Sequence, residues 1–131
     1  MHKVKANVVL KNLGIVEEKT SYDVEARYDK EKGLAFVEVD EHNETTHHFY
    51  IDGNNLVMER ENHEMKMSLI FDEDVETSSK YFYKDLDFAI DLSVMTEEIN
   101  VNMPGGYIYV KYYLDMSNQN QGCFELEINF D

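Results

Sequence analysis

The architecture of the chain can be inferred from residues 45–71, which have the sequence TTHHFYIDGNNLVMERENHEMKMSLIF. Apolar side chains recur at every second position in three of its runs, residues 49–51, 56–58 and 65–71. That period places them on one face of a β-strand, because a helix would need spacings of three and four. Asp52-Gly53 separates the first two runs and Asn62-His63 the next two, and Gly and Asn tolerate the positive φ of tight turns. The segment therefore predicts three antiparallel strands joined by two hairpins.

The period of two continues on both sides of this segment. Further alternating runs occupy residues 3–11, 22–28, 34–39, 80–83, 86–94, 107–114 and 124–130. The run over residues 86–94 is the most regular, since it has five apolar side chains in strict alternation. Asn12-Leu13-Gly14 predicts a turn that leads through Ile15 and Val16 into the second strand. Most of the chain is thus expected to be extended.

Four connections are predicted after the central segment. Residues 72–79 are expected to form an acidic turn, and Glu97-Glu98 is expected to turn the chain again. Pro104-Gly105 suits the two central positions of a type II turn. Residues 117–122 have the composition of a hairpin loop. All of these connections are short and local, which favours antiparallel pairing of consecutive strands.

About eight to ten short strands with local connections predict an all-β sandwich or an up-and-down barrel. The barrel is preferred because the run over residues 124–130 would form an exposed edge if it stayed unpaired. Pairing this run with an early strand removes the edge. We therefore expect a single domain over residues 1–131, an antiparallel up-and-down closed β-barrel.

Composition narrows the range of partners. Lys and Arg number 12 against 27 Asp and Glu, so the formal net charge is −15. This charge repels polyanions, so neither nucleic acid nor an anionic membrane surface is an expected partner. Cys123 is the single cysteine and cannot form an intramolecular disulfide, which favours a reducing compartment. No run approaches the roughly 20 apolar residues that span a bilayer, and the N-terminus is unlike a signal peptide. We expect a cytoplasmic protein.

Five short motifs follow one another along nearly the whole chain. They are Val37-Glu38-Val39-Asp40-Glu41, Met58-x-Arg60, Leu69-x-Phe71, Tyr83 followed by Thr96, and Ile108-x-Val110-x-Tyr112-x-Leu114. This order resembles the YwiB-like family, small bacterial proteins of unknown function with a calycin-type β-barrel related in shape to lipocalins and streptavidin. The sequence departs from the family pattern at Asn62 and around Lys84-Asp85, where the family pattern has glycine. The resemblance implies a barrel that can hold a ligand, and it brings no catalytic residues.

A ligand site is predicted inside the barrel around Arg60. Arg60 continues the face of Met58, so its guanidinium is expected to point inward or toward the barrel mouth, where it must be paired. It can anchor a ligand carboxylate or phosphate, or it can form a structural ion pair with one of the 27 carboxylates. The candidate lining residues are Met58, Arg60, Met65, Met67, Phe88 and Tyr112. Thioethers adapt to irregular ligands but equally to irregular cores, so plain core filling is the alternative. The expected ligand is a small apolar or weakly anionic molecule.

Tyr107, Tyr109 and Tyr113 share the opposite face of their strand from Tyr112. One face of a barrel strand is in contact with solvent, so these tyrosines are expected to form an exposed aromatic strip. Such strips often mark protein contacts, which makes an interaction module or a homodimer the alternative function. The other possibility is that the strip packs under a neighbouring loop.

Metal binding and catalysis have little support in the sequence. His47 and His48 are adjacent and point to opposite faces of a strand, so with His63 they offer at most two ligands on one face. Asp72-Glu73-Asp74 lacks the glycine and the distal glutamate of a calcium loop. No nucleophile is held near a base by the spacing of the sequence. We predict no metal and no cofactor, and an enzyme is the third hypothesis after ligand binding and protein contact.

Overall fold

The computed structural model describes residues 2–14 and 17–131, which form ten antiparallel strands. The strands are β1 (His2–Asn12), β2 (Glu18–Asp29), β3 (Gly33–Val39), β4 (Glu44–Asp52), β5 (Asn55–Glu61), β6 (Met65–Phe71), β7 (Glu76–Tyr83), β8 (Phe88–Asn102), β9 (Tyr107–Met116) and β10 (Gln119–Phe130). Each strand pairs with its neighbours in sequence, and β1 also pairs with β10. The predicted closed up-and-down barrel is therefore confirmed. The predicted start of the second strand at Ile15 and Val16 lies outside the described residues.

The first and last strands close the barrel. Their register runs from Ala6 opposite Phe130 to Asn12 opposite Phe124. This ladder pairs backbone N–H and C=O groups that would otherwise form an exposed edge. The predicted closure of the last strand against an early strand is confirmed.

Alternate side chains point into the barrel and form its core, and many of the largest fully buried ones lie near one of its ends. Large buried side chains there include Leu34, Leu56, Phe71, Ile108 and Ile128. We call this the closed end; it carries the loops that follow β2, β4, β6 and β8. The opposite end carries residues 40–43, 62–64, 84–87 and 117–118, and we call it the open end.

Strand β8 differs from its prediction because it contains a β-bulge. The strand continues without a turn through Glu97 and Glu98, and its register against β9 shifts between Thr96 and Glu98. One extra residue switches the inward positions from even to odd numbers, so Ile99 follows Thr96 on the inner face. The turn predicted at Glu97-Glu98 is therefore wrong, because the strand does not end there. A turn and a bulge produce the same change of alternation in the sequence. The strand also begins later than predicted, because Leu86 lies in the preceding turn and is 72% exposed.

Two turns that contain glycine differ in detail from their predictions. Strand β4 extends through Asp52, so the turn residues are Gly53 and Asn54. Positive φ falls on Gly53, the first of the two, as in a type II′ hairpin. In the later turn the backbone N–H of Gly106 donates to the oxygen of Met103, so Pro104 and Gly105 occupy the central positions as predicted. The positive φ falls on Gly106 rather than Gly105, so the turn is not of type II.

Two strands begin earlier than predicted. Ser117 and Asn118 both have positive φ, which is the pattern of a two-residue type I′ turn. The hairpin loop predicted over residues 117–122 is therefore shorter, and β10 begins at Gln119. Similarly, β7 begins at Glu76, within the predicted acidic turn.

Candidate functional site

Strands β2 and β3 meet along a seam in the barrel wall, and their backbone pairing stops before the seam reaches the open end. Backbone pairs between these strands run from their hairpin to Ala26 and Phe36. Beyond this point the Tyr22 hydroxyl lies 3.4 Å from Oε1 of Glu38, so side chains link the strands where backbone pairing has ended. The seam thereby leads into the barrel interior.

A cavity of about 160 Å³ lies inside the barrel beside this seam. Its apolar wall includes Val8, Phe36, Phe49, Met58 and Leu126. Its polar side chains are Thr20, Tyr22, Glu38, His47, Arg60 and Tyr112. Because a water molecule occupies about 30 Å³ in the liquid, the cavity has room for a molecule of roughly five to ten non-hydrogen atoms.

A wider groove of about 920 Å³ lies on the outer surface near Lys5, Asp23 and Glu25. These charged side chains are exposed to solvent. Ligand sites usually combine an apolar enclosure with a few polar groups. The interior cavity meets that description and the outer groove does not, so the cavity is the candidate site.

Arg60 lines the cavity without a partner of opposite charge. Its Nε atom is buried and has no hydrogen-bond partner in the described part of the chain. Among the described residues, no carboxylate forms an ion pair with the guanidinium. The structural ion pair considered from the sequence is therefore not formed in this structure. A partly desolvated cation without a partner is unfavourable, so its donors are available to a ligand.

His47 and Tyr22 hold the carboxylate of Glu38 at the cavity mouth. Nε2 of His47 lies 2.9 Å from Oε1 of Glu38, the same oxygen that the Tyr22 hydroxyl contacts. Burial and the charge of Arg60 lower the pKa of His47 to about 4, although Glu38 opposes this shift. The distance alone would also fit an ion pair. At neutral pH the contact is instead a hydrogen bond donated by a neutral imidazole that carries its proton on Nε2.

Tyr112 reaches the cavity from β9. Its ring packs against Phe71 and Phe124, with centroids 4.9 and 5.6 Å away. Burial raises the pKa of Tyr112 to about 12, although the nearby charge of Arg60 opposes this shift. The hydroxyl is therefore a neutral donor at physiological pH, and it lies beside the guanidinium at the cavity wall.

Comparisons with known proteins agree with this architecture. A family model described as a domain of unknown function, DUF1934, matches residues 7–128. The chain belongs to this family. The crystal structure of the ywiB protein from Bacillus subtilis matches the DUF1934 barrel described above with a TM-score of 0.72 and 14% sequence identity. The match covers 98% of this chain and 89% of that chain.

The resemblance of this DUF1934 chain to YwiB-like proteins is thus confirmed. At 14% identity, the structural match by itself shows a shared fold and nothing about a ligand. No curated protein matches the chain. The chemistry of the cavity therefore has to be inferred from its own residues.

Three of the predicted ligand-binding residues line the DUF1934 cavity, namely Met58, Arg60 and Tyr112. Met65 and Met67 are buried on β6 in the hydrophobic core and lie outside the cavity lining. Phe88 has the inward alternation of β8 but lies near the rim of the open end, where it is 54% exposed and stacks against Tyr83. Phe88 therefore does not line the cavity.

Tyr22 and Glu38 are not among the residues predicted from the sequence, and His47 is predicted there only as a possible metal ligand. A signal for Glu38 was present, because it follows Leu34 and Phe36 at inward positions of β3. A carboxylate in an otherwise apolar inward series indicates a functional or paired group. Its partner Tyr22 lies on a different strand, so only the tertiary structure shows the contact.

The predicted tyrosine strip lies on the outer face of β9. The hydroxyls of Tyr107 and Tyr109 donate hydrogen bonds to Glu127 and Glu125 at 3.2 and 3.0 Å. Partial burial and these carboxylates raise the pKa of both tyrosines. Tyr113 is 43% exposed. The strip is thus linked to the neighbouring strand β10 of its own sheet.

The two adjacent histidines of β4 point to opposite faces of the sheet. His47 points inward and His48 outward, where Nε2 of His48 lies 2.5 Å from the backbone oxygen of Lys32. In the part of the chain that the structure describes, no three side chains of His, Cys, Asp or Glu are arranged to hold a metal. The same residues contain no helix with the length and apolar character needed to cross a membrane.

The pKa of His47 predicts a specific pH dependence of stability. Between pH 6.5 and about 4 the unfolded chain binds a proton at His47 that the folded protein does not, so acidification favours unfolding. The contribution is complete above pH 6.5 and falls by up to about 3 kcal/mol as the pH approaches 4. We expect His47→Gln to flatten the fall in the free energy of unfolding between pH 7 and 5. Urea unfolding at several pH values measures this free energy for the original protein and for the variant.

His63→Gln is the matched control, because the side chain of His63 is 66% exposed. This variant should keep the pH profile of the original protein. Parallel profiles for the original protein and His47→Gln would show that His47 is not the group responsible.

Proposed function

We propose that the protein binds a small molecule in the interior cavity, with Arg60 as the anchor for an anionic group. The observation that carries this proposal is the unpaired guanidinium at the wall of a 160 Å³ cavity. Its apolar neighbours suit a short hydrocarbon portion of the ligand, as expected for a small apolar or weakly anionic molecule. Tyr112 adds a neutral hydroxyl donor beside the guanidinium.

Native mass spectrometry of protein purified from cells tests whether a ligand is present, and NMR titration with carboxylates from acetate to hexanoate tests the chemistry. We expect Arg60→Met to weaken carboxylate binding by roughly 10- to 100-fold, because a charged hydrogen bond contributes about 1.5–3 kcal/mol. The same substitution should raise the stability of the ligand-free protein by about 1 kcal/mol, since an unpaired charge is removed. Loss of binding with a gain in stability distinguishes a binding residue from a structural one.

Arg27→Met provides the matched control, because Arg27 is the other of the two arginines and lies exposed on β2. It should leave both carboxylate affinity and stability nearly unchanged. A protein with no copurifying ligand and no resonance shift at Met58 with any carboxylate would refute the proposed function.

A protein contact through the outer tyrosine strip is the alternative function. The exposed pair of Tyr113 on β9 and Met95 on β8 favours it, because these side chains lie opposite each other in the ladder. The hydrogen bonds of Tyr107 and Tyr109 to glutamates weigh against it, since a partner would have to cover these charged carboxylates. Self-association as a homodimer would appear as a concentration-dependent molar mass in light scattering. For either function we infer a cytoplasmic location, in keeping with the single cysteine.

A further inference from the structure

Glu38 and Arg60 place two opposite charges on the wall of one cavity. The two side chains form no ion pair with each other in the described structure. The Glu38 side chain is 41% exposed at the mouth, whereas Nε of Arg60 is buried. A molecule in the cavity would therefore meet a positive group inside and a negative group at the entrance.

The Glu38 carboxylate is oriented for a further contact. Both of its hydrogen bonds, from Tyr22 and from His47, go to the same oxygen, Oε1. Among the described side chains, none donates to Oε2. Because both donors are neutral at physiological pH, neither of them offsets the charge of a carboxylate, and Oε2 is left as an acceptor for a further donor.

The charge of the whole protein disfavours a simple anion as the ligand. The formal net charge of −15 repels an approaching monoanion, and Glu38 adds repulsion at the mouth. A ligand that carries its own positive group beside Glu38 avoids this repulsion and still satisfies Arg60. Its overall charge would be zero.

We propose that the ligand is a small zwitterion whose carboxylate binds Arg60 and whose protonated amine binds Glu38. Its apolar portion would pack against Phe49, Met58 and Leu126. An α-amino acid with an apolar side chain has this chemistry, and about seven to nine non-hydrogen atoms fit the volume of the cavity. The inference rests on the proposed function and narrows its ligand class.

Three matched series of probes test the charge requirement. The first contains L-valine, L-leucine and L-methionine; the second contains the same skeletons without the amine, and the third contains them without the carboxylate. NMR titrations that follow the methyl group of Met58 measure their dissociation constants. We expect the amino acids to bind about tenfold more tightly than either single-charge series, since each analogue leaves one charged group unpaired.

Glu38→Gln separates a binding role from a structural one. Glutamine keeps an oxygen that can accept the hydrogen bonds from Tyr22 and His47, but it removes the charge. We expect the advantage of the amino acids over the carboxylic acids to disappear, while the carboxylic acids bind as well as before or better. Glu25→Gln, exposed on the outer face of β2, should change neither affinity. If Glu38→Gln weakens the binding of the amino acids and of the carboxylic acids equally, the inference is contradicted.

The failure of this inference is distinguishable from the failure of the proposed function. Carboxylic acids that bind through Arg60 as tightly as the amino acids would overturn the zwitterion and leave the proposed function intact. If no series shifts the Met58 resonance and no ligand copurifies with the protein, both proposals are overturned.

Discussion

Gly33→Ala should destabilise the protein by at least about 3 kcal/mol, because the substitution combines backbone strain with a steric clash. Gly33 begins β3 with a φ of +90°, a conformation that side chains disfavour. A Cβ atom there would lie 2.0 Å from the backbone oxygen of Phe49 on the adjacent strand. The clash involves backbone atoms within the sheet, so relief requires moving β3 away from β4. For a domain of this size, thermal unfolding should begin about 10 °C lower.

Gly53→Ala is the matched control for the backbone contribution. Gly53 also has positive φ, at +62°, but a Cβ atom there would have no other atom within 4 Å. We expect it to cost only about 1 kcal/mol, the strain of the left-handed conformation alone. If urea unfolding shows the same loss of stability for both variants, the close approach of β3 to β4 does not contribute to the effect of Gly33→Ala.

Phe71→Ala should cost about 3–5 kcal/mol, the range for removing a large aromatic side chain from a core. Phe71 is fully buried at the closed end, and its ring supports that of Tyr112 at 4.9 Å. Loss of this support should allow Tyr112 to move, so binding in the cavity should weaken together with stability. Chemical unfolding measures the loss of stability, and NMR titration with hexanoate measures the loss of affinity.

Phe82→Ala makes the same chemical change on the outside of the barrel. Phe82 is 39% exposed on β7, so its loss should cost less than about 1 kcal/mol and leave binding unchanged. Phe71→Leu should recover much of the stability that Phe71→Ala loses, because it fills most of the volume. A cost for Phe71→Ala no greater than that for Phe82→Ala would contradict the packing of the closed end.

Most of the barrel could be predicted from the sequence because its strands are regular. Alternation is a local property, since the pleat sends successive side chains to opposite faces whatever the neighbouring strand is. The bulge at Thr96 and Glu98 could not be predicted, because it shows only in the pairing of β8 with β9. The alternation changes there as it would at a turn, and the sequence does not distinguish the two.

The candidate site was predicted in part, for a similar reason. Arg60, Met58 and Tyr112 have inward positions in regular strands, so their place inside the barrel follows from alternation. Phe88 has the same kind of position but lies near the rim, because depth along the barrel depends on the stagger between strands. The contacts of Glu38 with His47 and Tyr22 cross strand boundaries and leave no local pattern.

The sequence alone determined that the chain forms antiparallel strands with one apolar face. It also determined that a single arginine, Arg60, continues that face near the centre of the chain. Only the tertiary structure decided that pairing between β2 and β3 stops at Ala26 and Phe36, leaving a cavity beside the arginine. The reason is physical: the direction of a side chain is set by its own backbone, whereas an empty volume and an unpaired charge depend on every strand around them.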